Sequence, residues 1–176
     1  MYNLKMKNCL FILLIAAFFV GCSNTVTKKA EANIIAKNSS GLTGDVTFSE
    51  TDGMVSMTAN ISGLTPGNHG IHVHAIGDCS TDDGSTAGGH WNPTNVNHGK
   101  WGIAPFHTGD IGNILADSNG NGTINGETDL WCINCDDDTK NIIGKAIIIY
   151  EGSDDFTSQP SGAAGVRIGC GGIKLQ

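Results

Sequence analysis

The chain has 176 residues, 39% hydrophobic and 15% charged, with 25 glycines and a formal net charge of −7. That length suits one ordinary domain. The apolar content excludes a disordered chain, and 17 acidic against 10 basic residues argue against nucleic acid, whose phosphates call for a basic patch.

The N-terminus reads as an export signal. Lys5 and Lys7 precede an apolar run, Leu10 to Val20, that closes on Gly21-Cys22; it is too short for a membrane-spanning helix, which needs ~20 residues. A charged head, a short apolar stretch and a small residue at the cut have the form of a secretory signal over residues 1–21. Phe19-Val20-Gly21-Cys22 resembles a bacterial lipobox, in which the cysteine is acylated and becomes the new N-terminus. Phe19 stands where leucine is usual, which leaves plain secretion without a lipid as the alternative. Cleavage there removes Lys5 and Lys7 and takes the net charge to −9. The expected product is a periplasmic or outer-membrane lipoprotein that meets the membrane only through its lipid. Residues 22–31 are polar and are expected to form a flexible tether.

From Ala32 to the C-terminus the chain reads as short strands broken by turns. Val55 to Ile61 alternates apolar and polar residues, the period of a half-buried strand. Ile71-His72-Val73-His74 keeps that period, so the two histidines share one face. Thr51-Asp52-Gly53, Thr65-Pro66-Gly67 and Asn119-Gly120-Asn121-Gly122 are turn signals. Asp117 to Gly122 imitates the start of a calcium loop, but position twelve is Thr128 rather than glutamate and no flanking helices are apparent; a hairpin turn is the better reading. Ile142 to Tyr150 is a β-branched run. No segment sustains a helical period, so a β-sandwich or flattened barrel is expected. The irregular stretch from Gly77 to Phe106 is long for a compact domain, and such stretches are more often functional than idle.

Four cysteines follow Cys22: Cys79, Cys132, Cys135 and Cys170. Export makes two disulfides the default, with three pairings open. Cys132 and Cys135 form a C-x-x-C that reads as a redox pair, half a metal site or a small-loop disulfide. Asp136, Asp137 and Asp138 follow directly, and reactive thiols need positive surroundings, so the disulfide is favoured; that leaves Cys79 with Cys170.

All six histidines (His69, His72, His74, His90, His98 and His107) fall within residues 69–107. Any one alone reads as a surface or core residue. Five at metal-suited positions, closing with Asp110, are hard to assign to packing. Imidazole suits zinc and copper, and one carboxylate completes a zinc site. His72 and His74 can chelate one ion from a strand face, while a loop carrying His90, His98, His107 and Asp110 wraps a second.

These residues carry a resemblance. Gly70-Ile-His-Val-His74, Gly89-His-Trp-Asn-Pro93, His98-Gly99, His107-Thr-Gly-Asp-Ile-Gly-Asn113 and Gly165-Val-Arg-Ile-Gly-Cys170 are similar to the copper/zinc superoxide dismutases, in order, from about Ala32 to the C-terminus. The resemblance implies an all-β, eight-stranded Greek-key β-sandwich or flattened barrel with long metal-binding and electrostatic loops. It implies copper on His72, His74 and His90, and zinc on His90, His98, His107 and Asp110, with His90 bridging. Asp154 matches a carboxylate linking the two sites. Arg167 matches the arginine that positions superoxide, Cys79 and Cys170 match the family disulfide, and His69 matches a structural histidine. The expected activity is dismutation of superoxide to dioxygen and hydrogen peroxide. A homodimer stays open.

One position departs. Where the family pattern has a fourth copper histidine, before the electrostatic loop, this chain has Tyr150. It either ligates as a phenolate or fills space with its hydroxyl solvated. An oxygen ligand favours Cu(II) over Cu(I), so reduced efficiency is expected. The alternative is a non-enzymatic, zinc-stabilised domain that binds copper or another ligand. A C-x-x-C redox module is a weaker third reading.

Overall fold

The computed structural model describes residues 26–176, so the export signal and Cys22 lie outside the described residues. Nine antiparallel strand segments run β1 (Lys28–Ala36), β2 (Thr43–Thr51), β3 (Met54–Ser62), β4 (Gly67–His74), β5 (Gly112–Ala116), β6 (Asn121–Thr128), β7 (Ala146–Tyr150), β8 (Arg167–Gly172) and β9 (Lys174–Leu175). Their order is β2-β3-β6-β5-β4-β7-β8-β1, and pairing of β1 with β2 closes the barrel. β9 pairs with Ala30 and Glu31 of β1, while β8 pairs with Ile35 and Ala36. β8 and β9 are therefore one stave interrupted at Ile173, and the barrel is eight-stranded, as expected. The seam between β5 and β6 is the weakest, joined by the single pair Ala116 and Gly122.

The alternation read from the sequence sets the core. Val55, Met57, Ala59 and Ile61 of β3 point inward, with Ala30, Ala32 and Ile34 of β1, Val46 and Phe48 of β2, and Ile71 and Val73 of β4. Asp52 and Gly53, both at positive φ, make the tight β2–β3 turn, the form that matches strand twist. Asp117 to Gly120 is a hairpin turn and not a calcium loop, for the Asp117 carboxylate accepts the backbone N–H groups of Asn119 and Asn121.

Residues 28–31, expected in the tether, belong to the barrel. β1 begins at Lys28, so residues 28–31 pair with β2 rather than leading into the domain. Ala30 and Glu31 also hold β9.

β7, like the second half of β4, is buried on both faces. Ile147 and Ile149 face the barrel core, whereas Ala146, Ile148 and Tyr150 form a second cluster with Ala87, Ala164 and Cys170 on the outside. Two long loops, residues 75–111 and 151–166, cover that outer face. Among the described residues the only helical element is one 3₁₀ turn, Ser85–Ala87. His72 lies opposite Ile148 and His74 opposite Ala146 in the β4–β7 ladder. The histidine pair therefore sits on the covered outer face, beneath both loops.

Both disulfides form, Cys79–Cys170 and Cys132–Cys135. The first spans 91 residues and ties the 75–111 loop to β8; the second spans three. In the chain-entropy account these closures stabilise by about 4–5 and about 2 kcal/mol. Cys79→Ser should therefore lower the melting temperature of the metal-free protein by on the order of 10 °C, and Cys132→Ser by less than half as much. Equal shifts in a calorimetric scan would contradict that ranking.

Candidate metal centre

Four side chains converge in the long loop. His90 Nδ1, His98 Nδ1 and His107 Nδ1 lie 2.8, 3.0 and 3.1 Å from Asp110 Oδ1, and all four atoms fall within 4.8 Å of one another. The other carboxylate oxygen of Asp110 accepts the backbone N–H groups of His107 (2.7 Å) and Gly99 (3.1 Å). Burial alone would raise the Asp110 pKa, but the His90 imidazole and those two N–H groups hold it well below the usual carboxylate range. Three imidazoles and one carboxylate at this spacing match the donor set of a tetrahedral zinc site.

A second group adjoins it. The ring of His90 lies 4.1 Å from that of His72 and 5.1 Å from that of His74, centroid to centroid. The loop is held there by backbone bonds: Ala75 donates to Gly89, Trp91 to Val73, and Gly109 to Trp91. Residues 89–91 thus take over the edge of β4 where β5 ends, which brings His90 opposite His74.

The proton positions in this second group follow from the partners. His72 Nε2 donates to Asp154 (2.8 Å), and burial pushes the His72 pKa down to about 4. Its ring is neutral and Nδ1 keeps a lone pair. His74 Nδ1 donates to the Gly88 carbonyl (2.8 Å), and burial likewise holds its pKa well below the ordinary value; the lone pair is on Nε2. His72 Nδ1, His90 Nε2 and His98 Nδ1 are buried with no hydrogen-bond partner. A buried polar atom left unpaired costs about 1–3 kcal/mol, so three in one site fit lone pairs kept for metal ions.

Asp154 joins the two groups. Its Oδ2 accepts from His72 Nε2 and its Oδ1 from His98 Nε2 (2.9 Å). Burial raises its pKa, but the two imidazoles and the N–H of Phe156 outweigh that and lower it. For His98 burial lowers the pKa, and the Asp154 and Asp110 carboxylates reverse the sign. Three residues with no sequence signal support this carboxylate and the metal loop. Asn113 on β5 brackets the Asp154 backbone, accepting its N–H and donating to its carbonyl. Gly162, at φ +67°, packs so closely on Asp154 and His98 that a Cβ has no room. Trp131 donates its indole N–H to the Thr108 carbonyl, between His107 and Gly109.

Tyr150 ends β7 just past a register shift in the β7–β8 ladder. Its hydroxyl is not in solvent: the residue is 4% exposed, and the O–H donates to His74 Nε2 at 2.9 Å. The space-filling expectation is corrected here, because the covering loops seal this strand end. Burial pushes the phenol pKa up to about 12, against the pull of Arg167. Arg167, on β8, donates to the carbonyls of Gly84 (2.7 Å) and Gly88 (2.8 Å). An open cavity of about 420 Å³ is lined by His74, His90, Tyr150 and Arg167, with Asn92 and Gln159 at its polar wall. His69 lies outside it, buried between the carbonyls of Thr65 and Tyr150.

A closed Greek-key barrel with a buried histidine–carboxylate site under two outer loops defines a β-barrel metalloprotein. The sequence matches copper/zinc superoxide dismutase over residues 42–173, and the chain belongs to that family. Among solved structures, the crystal structure of the clock protein EA4 is similar, with 33% identity over 84% of this chain and 94% of the other, at a TM-score of 0.74.

Asp154 orients its imidazoles through their far nitrogens, and partners of that kind set metal affinity by roughly 10–100-fold. Asp154→Ala should weaken zinc binding by that factor in chelator competition, with the far-ultraviolet circular dichroism unchanged.

Proposed function

We infer that this chain is an exported superoxide dismutase, converting two superoxide ions and two protons to dioxygen and hydrogen peroxide. The observation that carries the reading is the set of unpartnered buried nitrogens, His72 Nδ1, His90 Nε2 and His98 Nδ1. Zinc is assigned to His90, His98, His107 and Asp110, and copper to His72 Nδ1, His74 Nε2 and His90 Nε2. Bound copper supplies one-electron redox chemistry, and zinc supplies charge and a rigid template.

The chain's own residues do the rest. Asp154 and the Gly88 carbonyl accept hydrogen bonds from the far-side N–H groups of His72 and His74, which fixes the tautomers that present lone pairs to the ion. Arg167 stands over the cavity with its guanidinium held by two carbonyls, a fixed positive charge for an anionic substrate. Shaped clefts focus such fields even in an acidic protein. Two disulfides accord with an oxidising compartment, and the Gly21-Cys22 junction supports lipid anchorage outside the cytoplasm.

A second reading is favoured by one observation. The Tyr150 hydroxyl caps His74 Nε2, so the domain could instead be a zinc-stabilised binder with no turnover. Superoxide decay after pulse radiolysis, on protein of measured copper and zinc content, separates the two. Copper-dependent decay above that of the metal-free protein is expected, at reduced efficiency because of Tyr150, and slowed about tenfold or more in Arg167→Ala as the steering charge is lost. Decay in copper-loaded wild type no faster than in the metal-free protein would leave the binding reading. Independently, Asp110→Ala should lower zinc content and melting temperature together, because binding energy at such a site is folding energy. An unchanged zinc stoichiometry would remove the zinc assignment.

A further inference from the structure

The hydroxyl of Tyr150 donates to a nitrogen assigned to copper, His74 Nε2, with the Arg167 guanidinium also close enough to act on it. A metal ion that takes the lone pair of His74 Nε2 removes the acceptor of this hydrogen bond. The phenol then loses that acceptor, at the edge of a cavity whose wall also carries His90, Arg167, Asn92 and Gln159. His72 and His90 offer it no replacement: the ring centroids of these two lie 5.4 and 6.3 Å from that of Tyr150. His72 already spends its proton on Asp154.

The spacing is a hydrogen bond's, and it is also the spacing of two ligands on one ion. Nitrogen and oxygen donors each sit about 2.0–2.2 Å from a divalent ion of this size, so two of them at right angles are about 2.8–3.1 Å apart. Tyr150 Oη and His74 Nε2 are 2.9 Å apart. The neighbouring cluster has the same edges, with 2.8, 3.0 and 3.1 Å between Asp110 Oδ1 and its three imidazole nitrogens. Tetragonal sites of mixed nitrogen and oxygen select Cu(II). The strand geometry supports the aim of the side chain. The β7–β8 register shifts between Ile149 and Tyr150, and bulges next to functional sites commonly re-aim a side chain. Gly70 leaves open the space beside the Tyr150 Cβ.

Resting on the copper assignment above, the geometry points to Tyr150 as a fourth, phenolate ligand of Cu(II). The site is then three imidazole nitrogens and one anionic oxygen. When the ion enters, the O–H bond of Tyr150 breaks, an oxygen–copper bond forms, and the proton leaves to solvent through the cavity that Tyr150 lines. A metal ion lowers the pKa of a group it binds far enough for this. No electron moves in the step. The positive charge of Arg167, on the residue paired with Tyr150 across the β7–β8 ladder, offsets the added negative charge. The consequence is selectivity between oxidation states: the phenolate stabilises Cu(II) and does little for Cu(I).

The test is spectroscopic and does not depend on turnover. The zinc-loaded mature chain receives one equivalent of copper(II) sulfate, followed by visible absorption and electron paramagnetic resonance. Wild type is expected to show a phenolate-to-copper charge-transfer band. Tyr150→Phe, with unchanged zinc content as its check on folding, should keep bound copper, lose the band and bind Cu(II) at least tenfold more weakly, while Cu(I) affinity by competition with a chelator moves little. Tyr150→His should bind copper without the band and with the magnetic signature of an all-nitrogen site. The proposal is overturned if wild type binds copper with no band and the same magnetic spectrum as Tyr150→Phe. It is also overturned if only Tyr150→Phe binds copper, which would make the hydroxyl a lock. If neither wild type nor Tyr150→His binds copper, the copper assignment itself fails, and this proposal with it.

Discussion

The shared carboxylate of Asp154 is the contact on which the rest of the site depends. It accepts one N–H from His72 and one from His98, and in doing so determines which nitrogen of each ring keeps a lone pair. Remove it and both imidazoles lose their reason to face inward. A buried carboxylate is costly unless each of its lone pairs is used. Here two imidazoles and the N–H of Phe156 use them. The loop 151–166 must therefore lie over the histidines for the carboxylate to be tolerated, and the histidines must be ordered for the loop to lie there. Asn113 ties this mutual requirement to the barrel, since it grips the Asp154 backbone from β5.

The barrel was legible because alternation is a strong signal. Val55 to Ile61 alternates cleanly, and the inward and outward sets are those the pattern names. The same period put His72 and His74 on one face, which is the outer face of β4. The beginning of β1 was not legible, for a physical reason. Its inward residues are Ala30 and Ala32, too small to show as hydrophobic against Lys28, Lys29 and Glu31. Small residues fill a crowded barrel interior as well as large ones do, but they leave no amphipathic signature.

The site divides in the same way. Residue types with few alternative uses, histidine above all, were visible, and their spacing with Asp110 carried the metal reading. The supporting residues were not. Asn113, Gly162 and Trp131 are ordinary types whose roles exist only through contacts across the fold. Tyr150 lies between the two cases. Its place at the end of a β-branched run, where the family pattern has histidine, was plain from the sequence. What the sequence could not carry was the burial of its hydroxyl, which depends on two loops closing over the strand end.

Those loops have almost no regular structure, yet residues 75–111 must hold His90 and the carbonyl partners of Arg167 in place. The means is a set of backbone carbonyls used as acceptors for buried cations and imidazoles. Lys37, itself buried, donates to the carbonyls of Cys79 and Thr81 at 2.6 and 2.8 Å, beside the cysteine that the disulfide ties to β8. Arg167 holds Gly84 and Gly88. The Gly88 carbonyl also accepts the Nδ1–H hydrogen bond of His74. One peptide oxygen thus fixes the tautomer of a proposed copper ligand and the position of the cation that faces the substrate cavity. A displacement of this loop segment would reach both at once. That is why a cross-link spanning 91 residues, with no part in holding a metal itself, bears on chemistry as well as on stability.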